Sequence, residues 1–190
     1  NSWTNYNLFF HELEGKESEL IFEDDFLKVK TIPLDHRVYT NGFLFEEKMG
    51  LRRLNKEKIE QYNIAHYDFQ NLKLGKDIVL EDSTELINSD VTLDPRAPKR
   101  YAFCSDTVYN ESIVPIIDEV DLLYHEATFL DAHENLAEKT KHSTAAQAAK
   151  IAQLANAKRL VLGHFSSRYR DKSDFLKEAT PFFEAVDLAE

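Results

Sequence analysis

Five short runs carry the residues able to do chemistry in this 190-residue chain: Pro33-Leu34-Asp35-His36-Arg37, Cys104-Ser105-Asp106-Thr107, His125-Glu126-Ala127-Thr128, His142-Ser143-Thr144 and Leu162-Gly163-His164-Phe165. In all but the fourth, a His, Asp or Glu sits just after a stretch that reads as a buried strand. Strand ends are where α/β proteins present ligands and catalytic groups. Imidazole nitrogen and carboxylate oxygen form the donor set of hydrolytic zinc sites, and a pair of ions needs a carboxylate shared between them. Asp106, projecting from the end of the strand before it, suits that shared position. Taken alone, Asp106 reads first as a turn-capping residue, and His36 or His164 more readily as a structural hydrogen-bonding residue. Two His and one Asp at three strand ends together point to metal ligation. His125 precedes Glu126 by one residue, so on a strand it faces the other way, into packing.

The elements that must hold these residues follow from hydrophobic spacing. Leu20 to Phe22, an acidic turn, and Phe26 to Leu34 read as a hairpin. Asn41-Gly42 is a turn signal followed by a strand at Phe43-Leu44-Phe45. Residues 46–99 are charged and poorly periodic, with one core-like stretch at Asp77 to Leu80, and read as an arm-like insertion. Beyond Arg100 the pattern becomes compact α/β. Strands are expected at Tyr101 to Cys104, Asp121 to Tyr124 and Arg159 to Leu162, and helices at Glu111 to Glu119, Ser143 to Ala157 and Asp174 to Val186, the last kinked at Pro181. Ser143 or Thr144 can cap the Ala-rich helix. Gly163 is read as the residue that lets the backbone bend before His164. His11, His66 and His133 have no motif around them and are expected on the surface.

Composition bounds the rest. With 43% apolar and 12% aromatic residues the chain can bury a core, and no run approaches the roughly 20 apolar residues of a membrane-spanning helix. A lone Cys104 excludes an internal disulfide and suits a reducing cytoplasm. The opening Asn1-Ser2-Trp3 has no initiator Met and no signal-peptide pattern, so a piece of a longer protein is expected. A net charge of −11 argues against a nucleic-acid partner, because phosphate binding draws on clustered Lys and Arg. Two local clusters oppose that average: Lys48, Arg52, Arg53, Lys56 and Lys58, and Lys158, Arg159, Arg168, Arg170 and Lys172. Each reads either as a phosphate-binding patch or as solvated surface charge.

Taken together, the five runs resemble ribonuclease Z, the tRNA 3′-processing endonuclease family of the metallo-β-lactamase superfamily. The resemblance covers nearly the whole chain and implies the C-terminal half of an αββα sandwich. It lacks one expected motif, since no HxHxDH run occurs in the sequence. The resemblance implies two zinc ions in a complete site, with Asp106 bridging and His36 and His164 on different ions. It implies that His142 donates a proton to the leaving 3′ oxygen and that Glu126 orients it. Ser166 and Arg168 match a Ser and Arg-Tyr pattern that could hold phosphate, and the basic start of the 46–99 segment, Lys48 to Lys58, takes the place of an arm gripping tRNA, without that family's Gly-Pro hand. Precursor tRNA is the implied substrate, the intact enzyme is expected to be a homodimer, and this chain alone is expected to bind zinc weakly and be inactive. A lactonase or thioesterase of the same superfamily, or a noncatalytic RNA-binding or assembly module, are the alternatives. A half-sandwich would also leave a sheet face bare, with Phe26, Val29, Phe43, Phe45, Tyr101 and Phe103 as candidates, and should self-associate through it.

Overall fold

The computed structural model describes residues 6–189; Asn1-Ser2-Trp3 lie outside the described residues. In chain order the strands are β1 (Leu20–Glu23), β2 (Leu27–Leu34), β3 (Thr40–Glu47), β4 (Arg53–Leu54), β5 (Ile78–Val79), β6 (Glu85–Leu86), β7 (Thr92–Leu93), β8 (Arg100–Cys104), β9 (Leu122–Glu126), β10 (Leu160–Gly163) and β11 (Val186–Leu188). The α-helices are α1 (Lys56–Gln61), α2 (Phe69–Lys73), α3 (Asn88–Val91), α4 (Glu134–Thr140), α5 (Ala145–Leu154) and α6 (Ser173–Ala179). Seven strands make one mixed sheet in the order β1-β2-β3-β8-β9-β10-β11. From β1 to β8 neighbours run antiparallel; from β8 to β11 they run parallel.

Alternation along these strands separates two faces. Ile32, Leu44, Ala102, Cys104, Leu123, Leu160 and Leu162 point into the main core, with the alanines and Ile151 of α5 and Phe175 of α6. Directly paired across the other face are Val29, Phe45 and Tyr101, and beside them Thr31, Phe43, Phe103, Tyr124 and Val161. Five of the six expected residues, Val29, Phe43, Phe45, Tyr101 and Phe103, therefore share this face, with Val29 buried, while Phe26 lies in the β1–β2 turn and is 77% exposed. Stacked rings, Phe45 on Tyr101 and Phe103 on Tyr124, give this face an apolar surface.

Several expectations need correction. Asn41-Gly42 is not a turn but lies inside β3, where Gly42 pairs with Ile32. A Cβ there would come within 2.3 Å of the Phe103 carbonyl oxygen, so the glycine answers a close approach of β8. Gly163 likewise makes room for the Tyr124 ring rather than a bend; its added Cβ would meet the Tyr124 hydroxyl at 2.1 Å. The helix expected from Glu111 to Glu119 is a single 3₁₀ turn, Glu111–Ile113, because Pro115 denies the next turn a donor. The last helix does not kink at Pro181 but stops at Ala179, and the chain returns as edge strand β11, parallel to β10.

Between β3 and β8, short elements form two small two-stranded sheets, β4-β7 and β5-β6. They enclose a separate apolar cluster of Ile64, Leu72, Ile78, Leu86 and Val91. Buried Asn88 ties it together by donating to the Leu72 and Lys76 carbonyls.

Candidate metal centre and proton donor

The parallel half of the sheet delivers its strand ends to one place. After β8 the chain turns through Asp106, and after β10 through His164, both with left-handed backbone at φ 61° and 58°. Such a conformation costs a non-glycine residue about 1–3 kcal/mol and is found where a side chain must be aimed. Lys141, at φ 62°, ends α4 in the same way, with His142 N–H returning to the Ala137 carbonyl at 2.8 Å. Two residues later Thr144 caps α5 in a full capping box with Gln147. His142 is thus fixed between two helix ends.

Asp106, Glu126, His142 and His164 each offer an atom within 4.8 Å of the others. His164 Nε2 lies 3.5 Å from Asp106 Oδ1. The His142 ring stands between two others, 5.0 Å from His36 and 5.3 Å from His164 by ring centre. Nδ1 of His36 donates to the Lys141 carbonyl at 2.8 Å, since a carbonyl can only accept, and this frees Nε2 to ligate. Asp106, Glu126, His142 and His164 thus gather the imidazole and carboxylate donors that could hold a metal ion, and His36 stands beside them, its ring 5.0 Å from that of His142.

Glu126 is the buried member of the cluster. It is fully buried, and its oxygens already accept from Thr107 N–H at 2.6 Å, the Thr128 hydroxyl at 2.6 Å, Ser143 N–H at 3.2 Å and His142 Nδ1 at 3.0 and 3.1 Å. Burial opposes its charge, but these hydrogen bonds, His142 foremost, outweigh that and hold its pKa below the ordinary value of 4.5. The hydrogen bond to Glu126 raises the His142 pKa above its ordinary 6.5, against partial burial and Arg37. A carboxylate-held imidazolium with a free Nε2 is the arrangement of a general acid.

The signs give a pH prediction. The raised His142 pKa contributes stability that is full below 6.5 and lost as pH rises through its folded value. The depressed Glu126 pKa contributes stability that is full above 4.5 and lost as pH falls through its folded value. The pair should support the fold most between these limits, and His142→Gln should flatten the alkaline decline in urea unfolding. An unchanged alkaline decline in that variant would contradict the pairing.

His125 faces the opposite way, as alternation requires, and is completely buried; its Nδ1 donates to the Glu126 carbonyl. Desolvation pushes its pKa below the ordinary 6.5. Cys104 is buried in the core, and its thiol is pushed up to about 12. His11 and His66 are exposed, but His133 is half-buried against Tyr169, whose hydroxyl lies 2.8 Å from its Nδ1. Ser166 is tied to the site by its N–H to the Thr128 carbonyl, and the Arg168 guanidinium sits 5.5 Å over Phe129, whose ring meets His142 edge-on. The first basic cluster is not a free patch throughout. Lys48 pairs with Glu23 and Arg52 with Asp94, while Arg53, Lys56 and Lys58 lie along β4 and α1. In the second, Lys158 pairs with Asp121 and Arg159 with Asp187. Thr107, Thr128 and Ser143 were not singled out from sequence as site residues; each is a small hydroxyl residue next to a candidate catalytic or ligating residue, or one position removed from it.

The sheet and its strand-end site have the metallo-β-lactamase fold. The YhfI protein of Bacillus subtilis, described as a metallo-β-lactamase fold protein, superposes with a TM-score of 0.58 over 94% of this chain and 52% of its own, at 15% identity. The chain is homologous to ribonuclease Z. Proteins of that name from Bacteroides thetaiotaomicron and Porphyromonas gingivalis W83 are 44% and 45% identical over 97% of this chain. It spans 58% and 60% of their respective lengths. The short form of human tRNase Z matches 92% of this chain and 45% of its own, with 28% identity and a TM-score of 0.54. No family model matches the sequence. Among the described residues, no helix is long and apolar enough to cross a membrane.

Proposed function

We propose that the chain is part of an endoribonuclease that removes the 3′ trailer of precursor tRNA. The observation that carries this reading is His142, held by buried Glu126 beside Asp106 and His164, in a homologue of ribonuclease Z. In a complete site, His36, Asp106 and His164 would help to hold two zinc ions, with further ligands from the rest of the protein. Zinc there would supply Lewis acidity and make water acidic enough to attack at neutral pH. His142, protonated through its bond to Glu126, hands its proton to the departing 3′ oxygen. Ser166, bonded to Thr128, and Arg168, over Phe129, are the contacts for a neighbouring phosphate in this reading, and residues 46–99 serve as the arm, with Arg53, Lys56 and Lys58 as its phosphate contacts. The setting is cytoplasmic.

The test compares two proteins and two substrates. Rigorously purified chain should leave precursor tRNA uncut, whereas the protein extended to the full length of its relatives should release the trailer. Neutralising Arg53, Lys56 and Lys58 in the extended protein should weaken and flatten the salt dependence of tRNA cleavage while sparing a small phosphodiester. Turnover by the chain alone at a comparable rate would refute the division of the site, and cleavage elsewhere in the transcript would refute the substrate.

The face carrying Phe43, Phe45, Tyr101, Phe103 and Tyr124 supports a further part of the reading, twofold self-association of the chain. Light scattering at micromolar concentration should report a dimer; a stable monomer that binds no hydrophobic dye would count against it.

A further inference from the structure

Thr128 is buried, two residues beyond Glu126, and its hydroxyl oxygen lies at the meeting point of two of the site's imidazoles, those of His142 and His164. It stands 2.6 Å from Glu126 Oε2, 2.8 Å from His164 Nδ1, 3.0 Å from the His164 carbonyl and 3.4 Å from His142 Nδ1. A threonine hydroxyl has one proton and two lone pairs. The shortest contact is to a charged acceptor, in the range of charge-assisted O–H···O⁻ bonds, so the proton goes to Glu126. His164 Nδ1 then meets a lone pair and must itself carry hydrogen. That leaves the bare nitrogen of His164, Nε2, on the side of Asp106 Oδ1, at 3.5 Å.

We infer that Thr128 is a positioning residue that locks His164 in the Nδ1–H tautomer and so presents Nε2 to a divalent cation. A free histidine side chain in water favours the opposite tautomer, so the hydroxyl sets a state the ring would not otherwise hold. His36 reaches the same tautomer through the Lys141 carbonyl. One buried carboxylate thus orders two rings with different tasks: His142 directly, as proton donor, and His164 through Thr128, as ligand. The inference rests on His164 being a ligand, as proposed above, and the test separates the two.

Nitrogen NMR of the metal-free chain, at a pH where His164 is neutral, should show hydrogen on Nδ1 and none on Nε2. Thr128→Val should move the hydrogen to Nε2, and Thr128→Ser, which keeps the hydroxyl, should restore the parent pattern. On adding zinc, the parent and the Ser variant should show a shifted Nε2 signal, while the Val variant should need about 10- to 100-fold more zinc, the usual effect of losing a partner behind a ligand. A parent protein with hydrogen on Nε2 overturns the inference, as does a folded Val variant that keeps the parent tautomer. Should the Val variant not fold, the parent tautomer and its retention in the Ser variant decide the matter alone. Zinc that leaves both His164 nitrogens unmoved, with the tautomer as stated, overturns the ligand assignment and not the hydrogen bond.

Discussion

Replacing His142 by alanine in the protein extended to its relatives' full length is expected to slow single-turnover cleavage of precursor tRNA by roughly 10²- to 10⁴-fold, with metal content close to that of the parent. The magnitude is that of losing a positioned general acid. The expectation of retained metal comes from geometry: His142 Nδ1 is committed to Glu126, and its ring lies between His36 and His164 without replacing either. The chemical step rather than tRNA binding should suffer, so kcat should fall with little change in KM. A substrate whose leaving group needs no proton should recover most of the loss. Parent-like single-turnover rates in this variant would remove His142 from the reaction.

Asp106→Ala should act differently and more completely. On the proposed reading Asp106 would be shared between two ions and its loss would leave neither with a full ligand set, so metal content and cleavage should fall together to background. The fold should survive the change, because Asp106 is partly exposed and its closest ion-pair contacts are to His164 at 3.5 Å and His142 at 4.0 Å. Thermal unfolding of the metal-free variant should fall only slightly below that of the metal-free parent, by the added cost of alanine in the left-handed backbone at φ 61°. Full zinc occupancy in the alanine variant would show that the carboxylate does not hold the ions.

The parts of this fold legible in sequence are those where pattern and length agree. The β1–β2 hairpin, strands β8, β9 and β10 and the Ala-rich helix α5 each announce themselves by alternation, an apolar run or a capped helical stripe. The strand-end placing of Asp106 and His164 followed from them. The glycines were misread because a sequence shows a glycine's freedom, not its neighbours. Gly42 and Gly163 answer the Phe103 carbonyl and the Tyr124 ring, contacts made only once β3, β8, β9 and β10 are assembled. The core of residues 46–99 was hidden for another reason: Ile64, Leu72, Ile78, Leu86 and Val91 sit on elements of two to five residues or in loops, too short for any period to show. Thr128 escaped notice because its importance lies in three partners that are distant in sequence or out of strand register, and a hydroxyl residue after a strand is ordinary.

That small core also bears on how the chain finds its fold. Pairing β3 with β8 closes a span of more than fifty residues, and such non-local pairing is entropically slow when the intervening chain is a free coil. Here β4 and β7 join the two ends of the span, Arg53 opposite Leu93 and Leu54 opposite Thr92, around a cluster that can collapse by itself. Once it does, the search left to the main sheet is set by two short legs, residues 48–52 and 94–99. The time to form the β3–β8 ladder should therefore depend little on how much polypeptide the span contains. Lengthening it within the β5–β6 turn would be kinetically silent for the sheet, and cutting the β4–β7 tie would not.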